Sequence, residues 1–323
     1  HVAEKKYDVS GEDQDEQTVL RPTDRSTAKP AAAPDTVADI GQRSYSEVVE
    51  TAREYYNSTD ADNFYFHIWG GEDIHIGLYQ ADDEPIADAS RRTVRNMADL
   101  LENEGIALDE TTRVLDLGAG YGGSMRHLAR RFGCHCVALN LSEVENERDR
   151  EMNREQGLDH LIDVIDGDFT SLPYDDNSFD VIWSQDAFLH SGDRETVLAE
   201  AVRVLKPGGR MIFTDPMQSD DAPVDELQPI YDRIHLDSLG SPGFYRQKLQ
   251  QLGLEETAFE DHTPQLPRHY ARVRRELVSN QSELLEKGVS RDYIERMQAG
   301  LQHWVNGGGK GYLAWGIFLF RKP

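Results

Sequence analysis

An α/β fold with a doubly wound, mostly parallel sheet is predicted by two features of this 323-residue chain. Short apolar segments alternate with amphipathic helical ones between Arg113 and Asp215, and the first apolar segment runs into a glycine cluster, Gly118 to Gly123. Alternation of this kind builds right-handed βαβ units, and glycines at the first strand-to-helix turn open that turn to a ligand.

The elements follow in order. In residues 1–43 large apolar side chains are sparse, Gly11–Glu16 is polar and acidic, and Thr23–Thr36 is rich in Ala, Pro, Asp and Thr. Such a segment cannot bury enough surface to offset its ordering entropy, and a tail or linker is expected. The chain starts His-Val-Ala-Glu-Lys-Lys, similar to its own closing Gly316–Lys322, so a fused unit preceding residue 1 is one expectation and an artefact of how the chain was cut is the other. From Ser44 a helix Tyr45–Tyr56 puts Val48, Val49, Ala52 and Tyr55 on one face, and Ala87–Glu104 is a second amphipathic helix; these form an N-terminal region, about 44–110. Arg113–Gly118, His135–Asn140, Leu161–Ile165, Phe179–Ser184 and Arg210–Asp215 read as strands, with helices Ser124–Phe132, Glu143–Gln156 and Arg194–Leu205 between them, giving a core of about 111–217. A helical insertion follows, about 218–252. The C-terminal part, 253–323, holds a long helical stretch, Arg268–His303, and a last strand, Gly311–Phe320.

Charge narrows the function classes. There are 59 acidic and 34 basic residues, a net of −25 and a pI near 4.7. Only 8 of the basic residues are lysines, a composition that suits a surface kept hydrated in a salty medium, where its self-repulsion is screened. Nucleic-acid binding rests on Lys and Arg neutralising phosphates, so no nucleic-acid partner is expected. The longest apolar run, about Tyr312–Phe320, falls far short of the ~18–20 residues that span a bilayer. With no charged-then-apolar leader, the reading expects no membrane partner and a cytoplasmic location.

Val114-Leu-Asp-Leu-Gly-Ala-Gly-Tyr-Gly-Gly123 carries the chemistry. Gly118, Gly120 and Gly123 fit G-x-G-x-x-G, since side chains there would block a ligand from the backbone N–H groups. A nicotinamide dinucleotide site calls for an acid ~20 residues on, and this second strand ends in Asn140. Cys134-His-Cys136 lacks a second ligand pair, so no metal is expected and both cysteines read as core. Ser184, Asp186 and His190 lie close together without a nucleophile-elbow sequence, and His190 reads as structural. Gly307-Gly-Gly-Lys310 lacks the Ser or Thr of a phosphate loop and reads as a turn.

Asp166-Gly-Asp-Phe-Thr170 after the third strand, Leu205-Lys-Pro-Gly-Gly-Arg210 before the fifth, and Asp116 in the first resemble the class I S-adenosyl-L-methionine-dependent methyltransferases. That resemblance implies a Rossmann-like fold: a doubly wound, mostly parallel seven-stranded sheet with an N-terminal helical cap and a helical insertion after the fifth strand. Ile68-Trp-Gly-Gly-Glu-Asp-Ile-His-Ile-Gly-Leu-Tyr79, Ala138-Leu-Asn-Leu-Ser-Glu-Val-Glu-Asn-Glu-Arg148 and Trp183-Ser-Gln-Asp-Ala-Phe-Leu-His190 are similar to the sarcosine/dimethylglycine N-methyltransferases, which make glycine betaine. The resemblance runs from Tyr45 to the C-terminus. It implies S-adenosyl-L-methionine as methyl donor, with Asp116, Gly118 and Gly120 at its methionine part, Asn140 and Leu141 at the ribose, Asp168 and Phe169 at the adenine, and Gln185 beside the reacting centre. Tyr56, Tyr65 and His75 correspond to lid and cap positions of small-amine methyltransferases.

The remaining needs are chemical. A quaternary ammonium product has no hydrogen-bond donor and calls for aromatic faces; Tyr65, Trp69, Trp183, Phe188 and Tyr231 are the candidates. A carboxylate calls for an arginine, first Arg233, then Arg268. Dimethylglycine, a tertiary amine, keeps no proton after transfer, so no catalytic base is assigned. Glycine or phosphoethanolamine as substrate, a NAD-linked oxidoreductase, and a silent cofactor-binding partner stay open.

Overall fold

The computed structural model describes residues 37–234 and 238–323, with side chains from Glu47 onward apart from Ile234. The acidic run and most of the expected linker, with any unit joined through it, lie outside the described residues. Helix α1 (Val37–Asn57) takes in residues 37–43, which the sequence assigns to the linker. Within that stretch only Gly41 opposes extension of a helix already formed at Tyr45–Tyr56. Helix α2 (Thr59–Phe64) is capped by Ser58 and runs into a π-helical turn, Tyr65–Trp69, which Gly70 (φ 132°) ends. Helix α3 (Ile86–Asn103) completes the N-terminal cap.

Strands β1 (Arg113–Leu117), β2 (His135–Asn140), β3 (Ile162–Asp166), β4 (Phe179–Gln185) and β5 (Leu205–Thr214) are parallel, joined by helices α4 (Gly123–Phe132), α5 (Glu143–Glu155) and α6 (Arg194–Val204). Beyond β5 come a short strand β6 (Met217–Gln218), helices α7 (Gln228–Ile234) and α8 (Pro242–Gln251), and strand β7 (Glu255–Asp261). Helices α9 (Gln265–Ser279), α10 (Gln281–Glu286) and α11 (Arg291–Gly309) then lead to β8 (Leu313–Ala314) and β9 (Gly316–Arg321). The seven-stranded sheet has the order β3-β2-β1-β4-β5-β9-β7, with β9 antiparallel to both neighbours. The strand order reverses at β1, whose neighbours are β2 and β4, so a crevice opens at the carboxyl ends of β1 and β4.

Two expectations need correction, and one strand, β7, was not expected at all: it carries no apolar alternation, because it is an edge strand whose Glu-Glu-Thr-Ala-Phe-Glu-Asp is largely exposed. The segment from Gly311 is not one strand: Leu313–Ala314 turns aside to pair with Met217–Gln218 before β9 begins. Gly307–Gly309 is the end of α11 rather than a turn. A Cβ on Gly308 would come within 2.8 Å of Pro267, and one on Gly307 within 3.2 Å of Leu313, so these glycines let α9 and β8 pack closely. Cys134 and Cys136 are buried and unbridged among Val114, Met125 and Ile162. No helix among the described residues is long and apolar enough to cross a membrane.

The cap is fastened to the core through α5. Arg53 Nε donates to Glu143 Oε1 at 2.7 Å, the Asn57 amide donates to Glu143 Oε2 at 2.7 Å, and Arg148 forks onto the carboxylate of Asp62. Those contacts hold α1 over the carboxyl ends of the strands.

Candidate active site

After β1 the backbone takes left-handed values at Gly118 (φ 86°), Gly120 (φ 57°) and Gly122 (φ 83°). A Cβ on Gly118 would overlap Ala187 and lie 3.2 Å from the Phe169 ring; one on Gly120 would lie 3.0 Å from Ile74. The Gly118 and Ala119 N–H groups donate to the Leu139 carbonyl at 2.8 and 3.1 Å, and the Gly120 N–H donates to Asn140 Oδ1 at 3.1 Å. From behind, the fully buried Arg126 donates to Glu72, Asp149 and Asn153 at 2.9–3.0 Å. Asp116 belongs to this rear side. It does not line the cavity in front of the turn, and burial, then Asp149 and Asp73, push its carboxyl well above the usual range.

The cavity in front of the turn measures about 110 Å³. It brings together every residue expected at the cofactor except Asp116: Tyr56 and His75 from the cap, Gly118 and Gly120, Asn140 and Leu141, Asp168 and Phe169, and Gln185. Gln185 Oε1 accepts from Ser124 Oγ and, at 2.9 Å, from Trp183 Nε1, which leaves its Nε2 buried without a partner among the described residues. Burial lowers His75 to about 4, partly offset by a bond to the Gln185 carbonyl.

Glu145 was missed in the sequence. It stands in the first turn of α5, is 3% exposed, lines the cavity and accepts from Asn140 Nδ2 at 2.9 Å through Oε1, while Oε2 has no partner among the described residues. Burial above all holds its carboxyl up to about 8. The signal that could have found it is the amide at Asn140 itself: a strand end lacking the usual acid, with an acid one helical turn further on.

Beside this cavity lies an aromatic chamber of about 60 Å³. Tyr65, Trp69 and Arg233 line it as expected, with Tyr56, Tyr270 and Trp304. Neighbouring ring centroids are 5.5 Å apart for Tyr56 and Tyr65, 5.3 Å for Tyr65 and Trp69, and 6.4 Å for Trp69 and Tyr270; Tyr270 stacks on Trp304 at 5.0 Å. The π-helical turn brings Tyr65 and Trp69 to the same wall. Arg233 makes no ion pair among the described residues; its Nη2 lies 3.0 Å from Met297 Sδ. Its guanidinium loses by burial but gains more from the surrounding Tyr55, Tyr65, Tyr270 and Tyr56 hydroxyls, and stays charged. Trp304 Nε1 is buried with no acceptor among the described residues.

Trp183, Phe188 and Tyr231 are not in this chamber. Trp183 is buried between the sheet and its helices and orients Gln185; Phe188 packs on Phe213 and Tyr245; the Tyr231 hydroxyl donates to Gln218 Oε1 at 2.8 Å. Arg268 is tied to Asp82 and to the Tyr79 carbonyl at the surface. Two residues without an assigned site role do line it. Asp186, in a left-handed conformation (φ 53°), accepts from the Ile76 N–H at 2.7 Å, from Thr214 Oγ1 at 2.8 Å and from Trp315 Nε1 at 2.9 Å. His190 Nε2 is 2.7 Å from the Tyr56 hydroxyl, and burial, then Arg233, lowers it to about 4. Both line the cofactor-side cavity as well.

Residues 115–213 match the methyltransferase domain family. The sarcosine/dimethylglycine N-methyltransferase of Halorhodospira halochloris is 65% identical over 276 residues, 85% of this chain and 97% of that protein. The glycine/sarcosine/dimethylglycine N-methyltransferase of Actinopolyspora halophila is 58% identical over 277 residues, and there the chain spans only 48% of the relative's length. A crystal structure from Galdieria sulphuraria, assigned as a sarcosine dimethylglycine methyltransferase, superposes with a TM-score of 0.78 at 45% identity and covers 83% of this chain and 98% of its own.

Proposed function

From membership of the sarcosine/dimethylglycine N-methyltransferase family, to which this chain belongs, we infer that it methylates sarcosine and dimethylglycine with S-adenosylmethionine and forms glycine betaine. The observation that carries the reading is a half-buried guanidinium, Arg233, which makes no ion pair among the described residues and faces a chamber walled by Tyr56, Tyr65, Trp69 and Tyr270, next to the glycine-turn cavity. A carboxylate at one end and a methylated ammonium at the other is the ligand such a chamber complements.

The chain's residues fit the methyl donor. Gly118 and Gly120 leave room that a Cβ would fill, and Gln185 Nε2 and Glu145 Oε2 are buried polar atoms that lack partners among the described residues. When bound, S-adenosylmethionine supplies an electrophilic methyl group on a sulfonium. Asn140 and Glu145 would hold its ribose hydroxyls, Asp168 and Phe169 its adenine, and Gly118, Gly120 and Gln185 its amino-acid end. Asp186 lines both the donor cavity and the chamber, so its carboxylate serves positive charge on either side of the transfer.

For the amine, the chain's tasks are orientation and exclusion of water. Arg233 and the Trp304 indole N–H receive the carboxylate, and the aromatic rings receive the N-methyl groups. An amino-acid ammonium must shed a proton before its nitrogen acts as nucleophile, and the Tyr56–His190 pair is the hydrogen-bonded pair at that junction. An imidazole held neutral by burial suits the passing on of a proton and not its storage. A small-molecule partner, a cytoplasmic place and no nucleic-acid or membrane partner belong to the same reading.

The experiment is an end-point assay with methyl-labelled donor at high salt, offering glycine, sarcosine, dimethylglycine and phosphoethanolamine separately to the wild type and to Trp304→Phe. Betaine from sarcosine and dimethylglycine is expected. Trp304→Phe keeps a ring and removes one hydrogen bond to a charged group, worth about 1.5–3 kcal/mol, so KM for dimethylglycine should rise by about tenfold or more with kcat nearly kept. No label on any amine overturns the substrate; an unchanged KM overturns the role of Trp304.

A further inference from the structure

A third cavity, about 440 Å³, lies between α1, α7 and α11 and is far larger than a dimethylglycine molecule requires. It shares Tyr56, Tyr65, His190 and Arg233 with the aromatic chamber. With the glycine-turn cavity it shares only Ala52, Tyr56 and His190 among its lining residues. The hydrogen-bonded Tyr56–His190 pair is therefore the partition where all three spaces meet. Helix α1 sorts them by its period: Val48, Thr51 and Tyr55 line the large cavity alone, Val49 lines the glycine-turn cavity alone, and Ala52 and Tyr56, at the boundary, line both.

We propose that the large cavity is the passage and first binding site for the zwitterionic amino acid, separate from the mouth used by the cofactor. The proposal rests on the methyltransferase reading above and adds where the amine enters. Arg233 lies on both sides of the boundary, crossing from α7 past α11 at Gly300, where any Cβ would overlap its Cδ and Nε. One guanidinium can thus take a carboxylate on the outer side and keep it on the inner side. Farther out, Arg296, Ala299 and His303 stand at one-turn spacing on α11 and are exposed, with Asp232 of α7 on the same wall. Arg296, ion-paired with the exposed Asp292, and Asp232 offer one charge for each end of a zwitterion on a chain of net charge −25. The faces of Tyr55 and Tyr293, whose hydroxyls are 2.8 Å apart, continue the aromatic lining outward.

The test uses the fluorescence of Trp69 and Trp304, which line the chamber, to follow association by stopped flow. Dimethylglycine is mixed with the wild type, free and preloaded with S-adenosylhomocysteine. With separate passages the amine associates with the preloaded protein at a rate within about threefold of that for the free protein. Loss of amine association on preloading would mean one shared mouth and overturn the proposal. Ala299→Trp and His303→Trp, both at exposed positions, should slow amine association by about tenfold or more and leave S-adenosylhomocysteine association unchanged. Equal slowing of both ligands, or of neither, overturns it. Turnover of dimethylglycine by the wild type tests the underlying reading independently: a wild type that binds S-adenosylhomocysteine but methylates no amine removes that reading.

Discussion

A carboxyl group buried with an unsatisfied oxygen titrates late, and Glu145 is the clearest case at this site. Its ordinary value lies near 4.5 and the fold lifts it to about 8, through burial first, with the Asn140 amide pulling down and Asp62 pushing up. A raised acid contributes stability that is fully present below its unfolded value and is lost as pH climbs through the folded one. Asp73 and Asp215, each raised to about 7, act in the same direction; the buried neutral His75, His190 and His269 act oppositely below about 6.5. Comparing the ligand-free wild type with Glu145→Gln cancels all of these but one. The Tm of the wild type should fall relative to that of Glu145→Gln between pH 5 and 8.5, by several degrees, at about 2–4 °C per kcal/mol for a domain of this order. Parallel Tm curves would show that Glu145 is ionised at little cost and would remove its place as a buried, waiting acceptor.

The glycine turn and the helices around it show how an element's conformation and its surroundings can be separated. Gly118 and Gly157 both sit at left-handed φ, 86° and 69°. A Cβ on Gly157 meets nothing within 4 Å, whereas on Gly118 it overlaps Ala187 at the end of β4. Gly157→Ala should therefore cost only the backbone term, about 1–2 kcal/mol. Gly118→Ala should cost more and weaken S-adenosylhomocysteine binding by about tenfold or more, read by calorimetry beside Tm; affinity kept within about threefold would count against the turn as the cofactor's cradle. The same contrast explains what was legible. The cofactor side is written in local sequence, because glycines, a strand end and the Asp-Phe pair must lie next to one another on the chain. The amine side is not. Trp183 and Tyr65 are both buried aromatics, and along β4 nearly every position is buried on both faces, so parity does not separate core from chamber. Tyr270 and Trp304 share helix faces with Leu266, Val273 and Leu301, and read as core for the same reason. Asp186 owes its place to a left-handed backbone that sequence does not announce, and β7 escaped because an exposed edge strand need not alternate.

At the scale of the whole molecule the question is which electrostatic effect salt removes first. The residues before Ser44 hold nine acids and six bases, so about −22 of the −25 belongs to the remainder. Against that repulsion stand close ion pairs, nearly all of them from arginine: Arg53 with Glu143 at 2.7 Å, Arg92 with Glu84 at 2.6 Å, Arg148 with Asp62 at 2.8 Å, and the buried Arg126 with Asp149 at 2.9 Å. The two terms act over different ranges. Screening lengths are about 30 Å at 10 mM salt and about 8–10 Å near 0.1–0.15 M, so added salt first removes repulsion between charges spread over the surface and leaves contact pairs largely intact. Exposed pairs contribute roughly 0–1 kcal/mol each and have little to lose, and Arg126 is shielded by burial. Repulsion is thus the larger salt-sensitive term, and Tm should climb most steeply between about 10 and 150 mM salt and go on rising more gently toward 1 M. Sodium chloride and an equal osmolarity of sucrose separate the causes: a charge effect follows the ionic strength and is absent with sucrose at matched low salt. A Tm that is flat or falls with salt would mean that the arginine pairs outweigh the net charge, and that the lysine-poor surface is no adaptation to a salty medium.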